Sequence, residues 1–284
     1  MSESSLKIGF IGAGNMGRAM IGAMIGAKVA APTQIFVFDL NPAQTGALAE
    51  EYSVGVLSDN AAVIRACDVV IFAVKPQSIP DVLSGLKSDG VFHDPGDRKM
   101  FISIAAGIPL RTFETYIYGD GDPEKNRRMP IFRVMPNTPA LVLAAMSGIC
   151  ANAFATEIDF QIAFALLGAM GNVIEFSESD MDAVTAVSGS GPAYCFYLAE
   201  AMIEAAENLG ISPDHAAEMT MQTIKGAVKL LEHQKLPPQE LRRRVTSPGG
   251  TTEAAIRVLD GRGVRQAIKD AIAAAAKRSR ELSN

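Results

Sequence analysis

The sequence predicts a doubly wound α/β domain over residues 1–174, followed by an all-helical domain over residues 175–284. In the first part, short apolar runs alternate with segments of helical period, a pattern typical of a mostly parallel sheet covered by helices. In the second part, long Ala-, Met- and Leu-rich segments of helical period follow one another without a convincing strand. A length of 284 residues agrees with about two domains.

Six apolar runs in the first part are expected to be strands, because short continuous apolar segments are typical of buried parallel strands. They are residues 6–12, 34–39, 68–74, 99–107, 132–137 and 147–152. The charged, Gly- and Pro-rich segment 119–128 is predicted as an exposed loop. Helices of the second part are expected over 192–210, 212–233, 252–259 and 264–282. Ser212 and Pro213 are typical of a helix start, and Gly210 of a helix end.

Composition and charge narrow the range of partners. The chain is 48% hydrophobic, as in a soluble globular protein, and its net charge of −5 argues against nucleic acid or a membrane surface. Residues 1–10 lack a basic region followed by an apolar run, and no apolar run could cross a bilayer, so a cytoplasmic protein is expected.

The cysteines are predicted to be buried thiols, and no metal site is expected from their spacing or that of the histidines. These residues are Cys67, Cys150, Cys195, His93, His215 and His233.

A glycine-rich motif follows the first predicted strand. Its G-x-G-x-x-G pattern opens a helix, and in this context the pattern typically binds a dinucleotide. The first glycine permits a tight turn, the second lets the backbone approach a pyrophosphate, and the third lets helix and strand pack closely. A Rossmann-type cofactor site is therefore predicted here, the alternative being a glycine-rich turn without a ligand. Its residues are Gly12, Ala13, Gly14, Asn15, Met16 and Gly17.

Asp39 ends the second predicted strand, about 20 residues after the motif, where an acid typically binds the adenosine ribose. A carboxylate there accepts hydrogen bonds from both ribose hydroxyls of NAD and repels the 2′-phosphate of NADP. No Arg or Lys occurs in residues 40–46 to neutralise that phosphate. NADH is therefore predicted to be preferred, the alternative being that Asp39 only caps the next helix.

Three further segments lie at the ends of predicted strands, where open parallel sheets bind ligands. They are AVKP (73–76), IAAG (104–107) and MPNTPA (135–140). Their small residues and prolines suit the close approach of a flat ring, although each alone is also typical of an ordinary strand-to-helix turn. Cofactor contacts predicted in these segments include Val74, Ala105, Ala106, Gly107 and Asn137.

Five motifs stand in order along the chain: GFIGAGNMG, AVKP, MPNTPA, AVSGSGPAY (186–194) and SPGGTT (247–252). Together they strongly resemble the pyrroline-5-carboxylate reductase family over nearly the whole chain, from Ile8 to about Leu282. SGSGPAY and SPGGTT are the specific parts, because G-x-G-x-x-G occurs in many families. The resemblance implies NAD(P)H-dependent reduction of 1-pyrroline-5-carboxylate to L-proline, the last step of proline synthesis. It also implies a helical domain that pairs two subunits, with dimers that commonly gather into larger rings.

The resemblance further implies the roles of individual residues. Asn60, Ala73, Lys75 and Pro76 would line the cofactor, and Ser247, Gly249, Gly250, Thr251 and Thr252 would bind the substrate. The chain departs from the family at QKLP (234–237), where many members have GEHP, and at LRRR (241–244), where many have LKD. Lys235 then stands in place of an acid, which leaves open whether this segment touches the substrate. Arg242 to Arg244 are interpreted as a solvated helix face, the alternative being a gain of positive charge beside an anionic substrate.

The loop 247–252 suits a carboxylate, because its glycines expose amides just before a helical segment whose N-terminus adds positive charge. It contains no His, Asp, Glu or Cys, which fits an imine that water protonates before binding. Near-attack geometry can then supply on the order of 7–11 kcal/mol of the catalysis. Thr252 is predicted to reach the imine nitrogen as the catalytic residue, the alternative being an N-cap. Whether Ser247 or Thr251 makes that contact instead stays open.

Two other functions remain as alternatives. A β-hydroxyacid dehydrogenase also opens with GFIGxGxMG and ends in helices, but it places a catalytic Lys in a different motif of the helical half. A nucleotide-sensing protein without turnover would bind the cofactor only, and the loop 247–252 has no obvious purpose there. The SGSGPAY segment suits close helix packing as well as substrate contact.

Overall fold

The computed structural model describes residues 6–94, 96–119 and 122–282. The strands are β1 (Ile8–Ile11), β2 (Ile35–Phe38), β3 (Gly55–Val56), β4 (Val69–Phe72), β5 (Met100–Ser103), β6 (Ile131–Met135), β7 (Ala145–Ala151) and β8 (Gly171–Glu175). They form one eight-stranded sheet in the order β3-β2-β1-β4-β5-β6-β7-β8. Every neighbouring pair is parallel except β6 and β7. The predicted doubly wound, mostly parallel sheet is therefore confirmed.

All six predicted strands are present, four of them with shorter bounds inside the predicted ranges. β6 starts one residue before the predicted range, and β7 starts two residues before it and is one residue longer. The remaining two, β3 and β8, are not predicted by the apolar pattern. β3 has only two residues, and β8 lies at the edge of the sheet with all five of its residues exposed or half-buried. Neither therefore shows the continuous apolar run of a strand that is covered on both faces.

The helices are α1 (Asn15–Gly26), α2 (Pro42–Tyr52), α3 (Asn60–Ala66), α4 (Ile79–Ser88), α5 (Leu110–Ile117), α6 (Pro123–Asn126), α7 (Glu157–Gly168), α8 (Met181–Val184), α9 (Gly191–Asn208), α10 (Pro213–Gln234), α11 (Pro238–Arg244), α12 (Thr251–Gly261) and α13 (Val264–Leu282). The helical second part is confirmed, with α11 as an additional short helix. Ser212 is the N-cap of α10 with Pro213 in its first position, and Gly210 has the positive φ of +89° predicted for a helix end. No helix in the described part of the chain is long and apolar enough to span a membrane.

The described residues form two compact units. One comprises the described residues up to Gly189 together with those from Ala275 onward and carries the sheet, and the other comprises Ser190–Ala274. The last helix, α13, thus contributes its end to the unit that carries the sheet. The domain limit predicted between residues 174 and 175 stays a prediction, and the change of compact unit comes later, where a π-helical turn (Thr185–Gly189) ends.

Strands β1, β2 and β4 end at the same level, because the last residue of β1 is paired with the last residue of each neighbour. β1 lies between them, at the point where the chain order of the sheet reverses. In open α/β sheets the ligand crevice lies at this point, outside the carboxyl ends of the strands. The residues that follow the three strands, Gly12, Asp39 and Ala73, therefore lie at a common edge.

Apolar side chains cover both faces of the sheet. Phe10 belongs to one buried cluster together with Met20 of α1. Phe72 belongs to the other, where its ring meets Phe113 edge-on at a centroid distance of 5.2 Å. Burial on both faces is the environment of a parallel sheet, and it makes the strands a firm base for the loops at their ends.

The predicted exposed loop 119–128 contains the short helix α6. The carboxylate of Asp122 caps this helix, and Asn126 at its end is buried. An acid followed by proline is typical of a helix start as well as of a turn, so the prediction of an exposed loop is wrong for the residues of α6. Residues 120 and 121 lie outside the described residues.

The three cysteines differ in burial. Cys67 and Cys150 are buried as predicted, and burial raises the pKa of their thiols to about 11 and about 12. Cys195 is exposed in the single chain, so the prediction of a buried thiol is wrong there. Within the described ranges, no group of three or more His, Cys, Asp or Glu side chains could hold a metal ion.

An ion pair fastens the start of α7 to the segment before β5. Arg98 Nε donates to Asp159 Oδ1 at 2.8 Å, and the guanidinium also donates to the carbonyl of Phe154 at 3.0 Å. Thr156, the N-cap of α7, donates its hydroxyl to the same carboxylate at 2.6 Å. Burial alone raises the pKa of the Asp159 carboxyl, but the hydrogen bonds from Arg98 and Thr156 outweigh it and lower the pKa below its ordinary value.

The substitution Asp159→Asn is expected to lower the free energy of unfolding at neutral pH by about 1–3 kcal/mol. A depressed pKa in the folded chain means that the stabilisation is present above the unfolded carboxyl pKa of about 4. It is lost as the pH falls through the folded pKa. The stability of the parent should therefore fall more steeply in acid than that of Asp159→Asn, as urea denaturation would show. Glu124→Gln, at an exposed ion pair with Arg127, is the control, and equal acid slopes for parent and Asp159→Asn would contradict the account.

Candidate active site

The turn after β1 has a backbone conformation that requires glycine. Gly12 has a φ of +105°, and a Cβ at this position would lie 2.7 Å from the backbone carbonyl of Ala73. Its amide donates to the carbonyl of Phe38 at 2.8 Å. A Cβ on Gly17 would lie 3.0 Å from the carbonyl oxygen of Gly12. The tight turn and the close helix–strand packing that the motif predicts are both present.

The start of α1 is open to an anion. Gly14 is its N-cap, with extended backbone, and no described side chain caps the helix. No acidic residue lies in the first turn, and a Cβ on Gly14 would meet no atom within 4 Å. The first amides of a helix have no partner within the helix, so they are available together with its partial positive charge. These residues fit the pyrophosphate of a dinucleotide.

Asp39 is fixed beside the glycine turn. Its Oδ2 accepts a hydrogen bond from the amide of Ala13 at 2.7 Å, and its Oδ1 accepts one from the amide of Asn41 at 2.8 Å. A carboxylate offers about four lone-pair sites, so acceptor capacity remains for ribose hydroxyls. The N-cap of α2 is Asn41, whose side chain accepts from the amide of Ala43. Asp39 therefore does not cap that helix.

The other predicted cofactor residues lie at ends of elements near the same edge. Ala73 follows β4, and its amide donates to the carbonyl of Ile11 at 2.8 Å. Lys75 is exposed and precedes a short 3-10 turn that begins at Pro76. Asn60 is the first residue of α3 and is half-buried. Their cofactor contacts stay predictions that this placement allows.

Asn137 has a structural role that the sequence does not show. Its side-chain nitrogen donates to the carbonyl and to the hydroxyl of Ser188, at 3.2 and 3.3 Å. Its side-chain oxygen accepts from the amide of Met146 at 3.0 Å. The side chain thus joins the segment 135–140 to β7 and to the π-helical turn. Its predicted contact with a cofactor stays a prediction.

The loop 247–252 lies in the helical unit and is mostly exposed. Gly249 has a φ of +70°, and the amide of Gly250 donates to the carbonyl of Ser247 at 3.0 Å. The N-cap of α12 is Gly250, with no capping side chain, so Thr251 and Thr252 are the first two helical residues. The alternative role of Thr252 as N-cap is therefore wrong.

An acid beside this loop is not among the residues that the motifs predict. Glu253 Oε2 accepts a hydrogen bond from the amide of Gly249 at 2.8 Å, and Arg257 lies 3.8 Å from the same carboxylate. Glu253 therefore occupies one of the amides expected to hold a substrate carboxylate. The available signal is its position as the third residue of α12, where Glu commonly turns back to amides at the helix start.

The departures from the family pattern lie around α11. Lys235 ends α10 in the left-handed conformation, with a φ of +51°. Arg243 and Arg244 are exposed and lie 2.9 and 3.0 Å from the carboxylate of Glu240. Hydrogen bonds from these two arginines lower the pKa of Glu240 to about 2. Arg242 is half-buried, so it departs from the interpretation of all three arginines as a solvated face.

The doubly wound sheet and the glycine turn at its centre define a dinucleotide-binding protein, and the family comparisons add the oxidoreductase class. Residues 7–107 match the family model described as NADP oxidoreductase, coenzyme F420-dependent. Residues 178–282 match the model for pyrroline-5-carboxylate reductase dimerisation.

Relatives and solved structures agree over nearly the whole chain. A pyrroline-5-carboxylate reductase of Pseudomonas aeruginosa is 41% identical over 99% of this chain and 98% of its own. One from Coxiella burnetii has a solved structure with 35% identity, a TM-score of 0.86 and coverage of 99% and 100%. The pyrroline carboxylate reductase of Plasmodium falciparum, solved with NADP bound, has 28% identity, a TM-score of 0.86 and coverage of 98% of both chains. The chain belongs to the pyrroline-5-carboxylate reductase family, as its motifs predict.

Alanine substitutions at the first two glycines of the turn should separate folding from cofactor binding. Gly12→Ala is expected to lower the free energy of unfolding by at least about 1–3 kcal/mol. The positive φ of this position is strained for alanine, and the added methyl group would overlap the backbone of Ala73. Gly14→Ala should change it by less than about 0.5 kcal/mol. It should nevertheless raise the dissociation constant of NADH about tenfold or more, or 1.4 kcal/mol, because the methyl group occupies the space over the turn. Urea unfolding and NADH fluorescence titration measure the two effects. Unchanged NADH binding by Gly14→Ala would place the cofactor elsewhere.

Proposed function

We propose that the protein catalyses the NAD(P)H-dependent reduction of 1-pyrroline-5-carboxylate to L-proline, the final step of proline biosynthesis. The observation that carries this proposal is the 41% identity, over nearly the full length of the chain, to a reductase of that name. The open glycine turn and the loop 247–252 both support it. The enzyme is then an oxidoreductase that acts on a CH–NH group with a nicotinamide dinucleotide.

The residues of the glycine turn would hold this cofactor. The free amides at the start of α1 suit its pyrophosphate, and Asp39 suits the adenosine ribose. The segments 73–76 and 104–107, with Asn60, would line the rest of it. When bound, the cofactor supplies the hydride. The charge of Asp39 supports a preference for NADH over NADPH.

The loop 247–252 would hold the carboxylate of the substrate. Gly250, Thr251 and the N-terminus of α12 offer amides and a hydroxyl to an anion. Glu253, which accepts from the amide of Gly249, would have to yield that amide or leave the carboxylate to its neighbours. Thr252 would orient the imine nitrogen, whose proton comes from water before binding. The loop 247–252 contains no His, Asp, Glu or Cys, and with an imine that is already protonated the reaction needs no general acid from it.

Self-association through the helical unit is part of the proposal. The match of residues 178–282 to a dimerisation family supports a dimer. Large apolar side chains are exposed on α9, including Phe196 at 67% and Tyr197 at 76%, which suits burial against a second copy. A larger ring of dimers and a cytoplasmic location are the finer parts of this proposal.

The function is tested by following NADH and NADPH oxidation with and without 1-pyrroline-5-carboxylate. Oxidation that depends on this imine and yields proline is the expected result. A panel of 3-hydroxyacids and semialdehydes tests the dehydrogenase alternative. Cofactor binding without substrate-dependent oxidation would favour a nucleotide sensor and overturn the proposal.

Asp39 should set the cofactor preference. The parent enzyme is expected to have a higher kcat/KM with NADH than with NADPH. Asp39→Asn keeps a side-chain oxygen to accept the Ala13 amide but removes the charge that repels a 2′-phosphate. The ratio of kcat/KM for NADH to that for NADPH should fall about tenfold, equal to 1.4 kcal/mol. A parent enzyme that strongly prefers NADPH would refute this role of Asp39.

Thr252→Ala is expected to lower kcat by roughly 10²-fold, the scale of a lost acid–base partner. The fold should survive, since Thr252 does not cap α12. Thr252→Ser retains the hydroxyl and serves as the matched control, with kcat close to that of the parent. Near-normal turnover by Thr252→Ala would remove the residue from the chemistry.

A further inference from the structure

A polar cluster contacts the start of α5 and stands beside the end of β5, on the two sides of the segment 104–107. Arg133 on β6 is its centre, and its side chain is only 7% exposed. Arg133 is paired across the sheet with Ser103, the last residue of β5, so it stands level with the point where segment 104–107 begins. A buried guanidinium requires partners that balance its charge.

Two carboxylates supply this balance. One guanidinium nitrogen of Arg133 lies 3.6 Å from Glu178, and the other lies 3.6 Å from Asp182. Each carboxylate also makes a shorter hydrogen bond to another part of the unit. Glu178 accepts from the amide of Leu110, the first residue of α5, at 2.6 Å, and Asp182 accepts from the hydroxyl of Ser279 at 2.6 Å.

These two bonds bracket the loop between β5 and α5. Leu110 is its far end. Ser279, which is buried, lies near the end of α13, and this end contacts the loop at Gly107. A Cβ on Gly107 would lie 3.0 Å from the Cβ of Leu282 and 3.4 Å from the carbonyl oxygen of Ser279. Glu178 therefore holds the loop at Leu110. The end of α13, which Asp182 anchors through Ser279, contacts the loop at Gly107.

We propose that Arg133 is a positioning residue for the cofactor, which acts through Glu178, Asp182 and Ser279 on the segment 104–107. The last turns of α13 are then a supporting wall of the cofactor site. This inference rests on the proposed function only in assigning the segment 104–107 to the nicotinamide cofactor. None of the four side chains needs to touch the cofactor, because the cluster sets the position of the backbone that does.

Ser279→Ala is the mildest test, because it removes one hydroxyl and leaves the ion pairs. The dissociation constant of NADH, from its fluorescence, and the KM for NADH should both rise about fivefold, the scale of one hydrogen bond. The KM for 1-pyrroline-5-carboxylate at saturating NADH should stay within about twofold. Arg278→Gln, which removes an exposed ion pair with Glu281 on the same helix, is the matched control and should leave NADH binding unchanged.

Arg133→Met should weaken NADH binding more than Ser279→Ala, and Arg133→Lys should restore part of it. Should Arg133→Met fail to fold, the comparison of Ser279→Ala with Arg278→Gln decides alone. A lowered Tm of Ser279→Ala with unchanged NADH binding would show a purely structural cluster and overturn the proposal, as would equal loss of binding in Arg278→Gln. A parent protein that binds NADH but does not reduce the imine would refute the proposed function, while the NADH dissociation constants would still test this inference.

Discussion

The common level at which β1, β2 and β4 end is the constraint on which the cofactor half of the protein depends. It places the carbonyl of Phe38 where the Gly12 amide needs an acceptor, and the Ala73 backbone where a side chain on Gly12 would stand. It also brings the Asp39 carboxylate to the amide of Ala13. Turn, acid and neighbouring strand therefore fix one another before any ligand arrives, and such preorganisation reduces the cost of binding.

The helical unit would meet a different requirement in the proposed function, because its loop would have to offer hydrogen-bond donors to a small anion. Among the described residues, no side chain caps the start of α12 beside this loop. Glu253 accepts a hydrogen bond from the amide of Gly249, so this carboxylate and a substrate carboxylate would compete for the same donor.

Local signals in the sequence were sufficient for much of this structure. Continuous apolar runs identified the six central strands, and the spacing of three glycines with Asp39 identified the turn and its acid. The signals failed where structure depends on contacts that are distant in sequence. β3 is too short to show an apolar pattern. The side chain of Asn137 donates a hydrogen bond to Ser188, and the charge of Arg133 is balanced by two acids, all of them more than 40 residues further along the chain. At the start of α6, an acid followed by proline is typical of both a turn and a helix start, so composition alone could not distinguish a loop from a short helix.

A crystal structure of the protein with NADH bound would show directly whether the glycine turn holds the cofactor. We expect the pyrophosphate on the amides at the start of α1, over Gly14, and the adenosine ribose hydroxyls on the carboxylate of Asp39. The turn at Gly12 is expected to stay in place, since its partners hold it without the ligand. A dinucleotide bound away from this turn, or an Asp39 carboxylate without a ribose contact, would refute this assignment of the cofactor site.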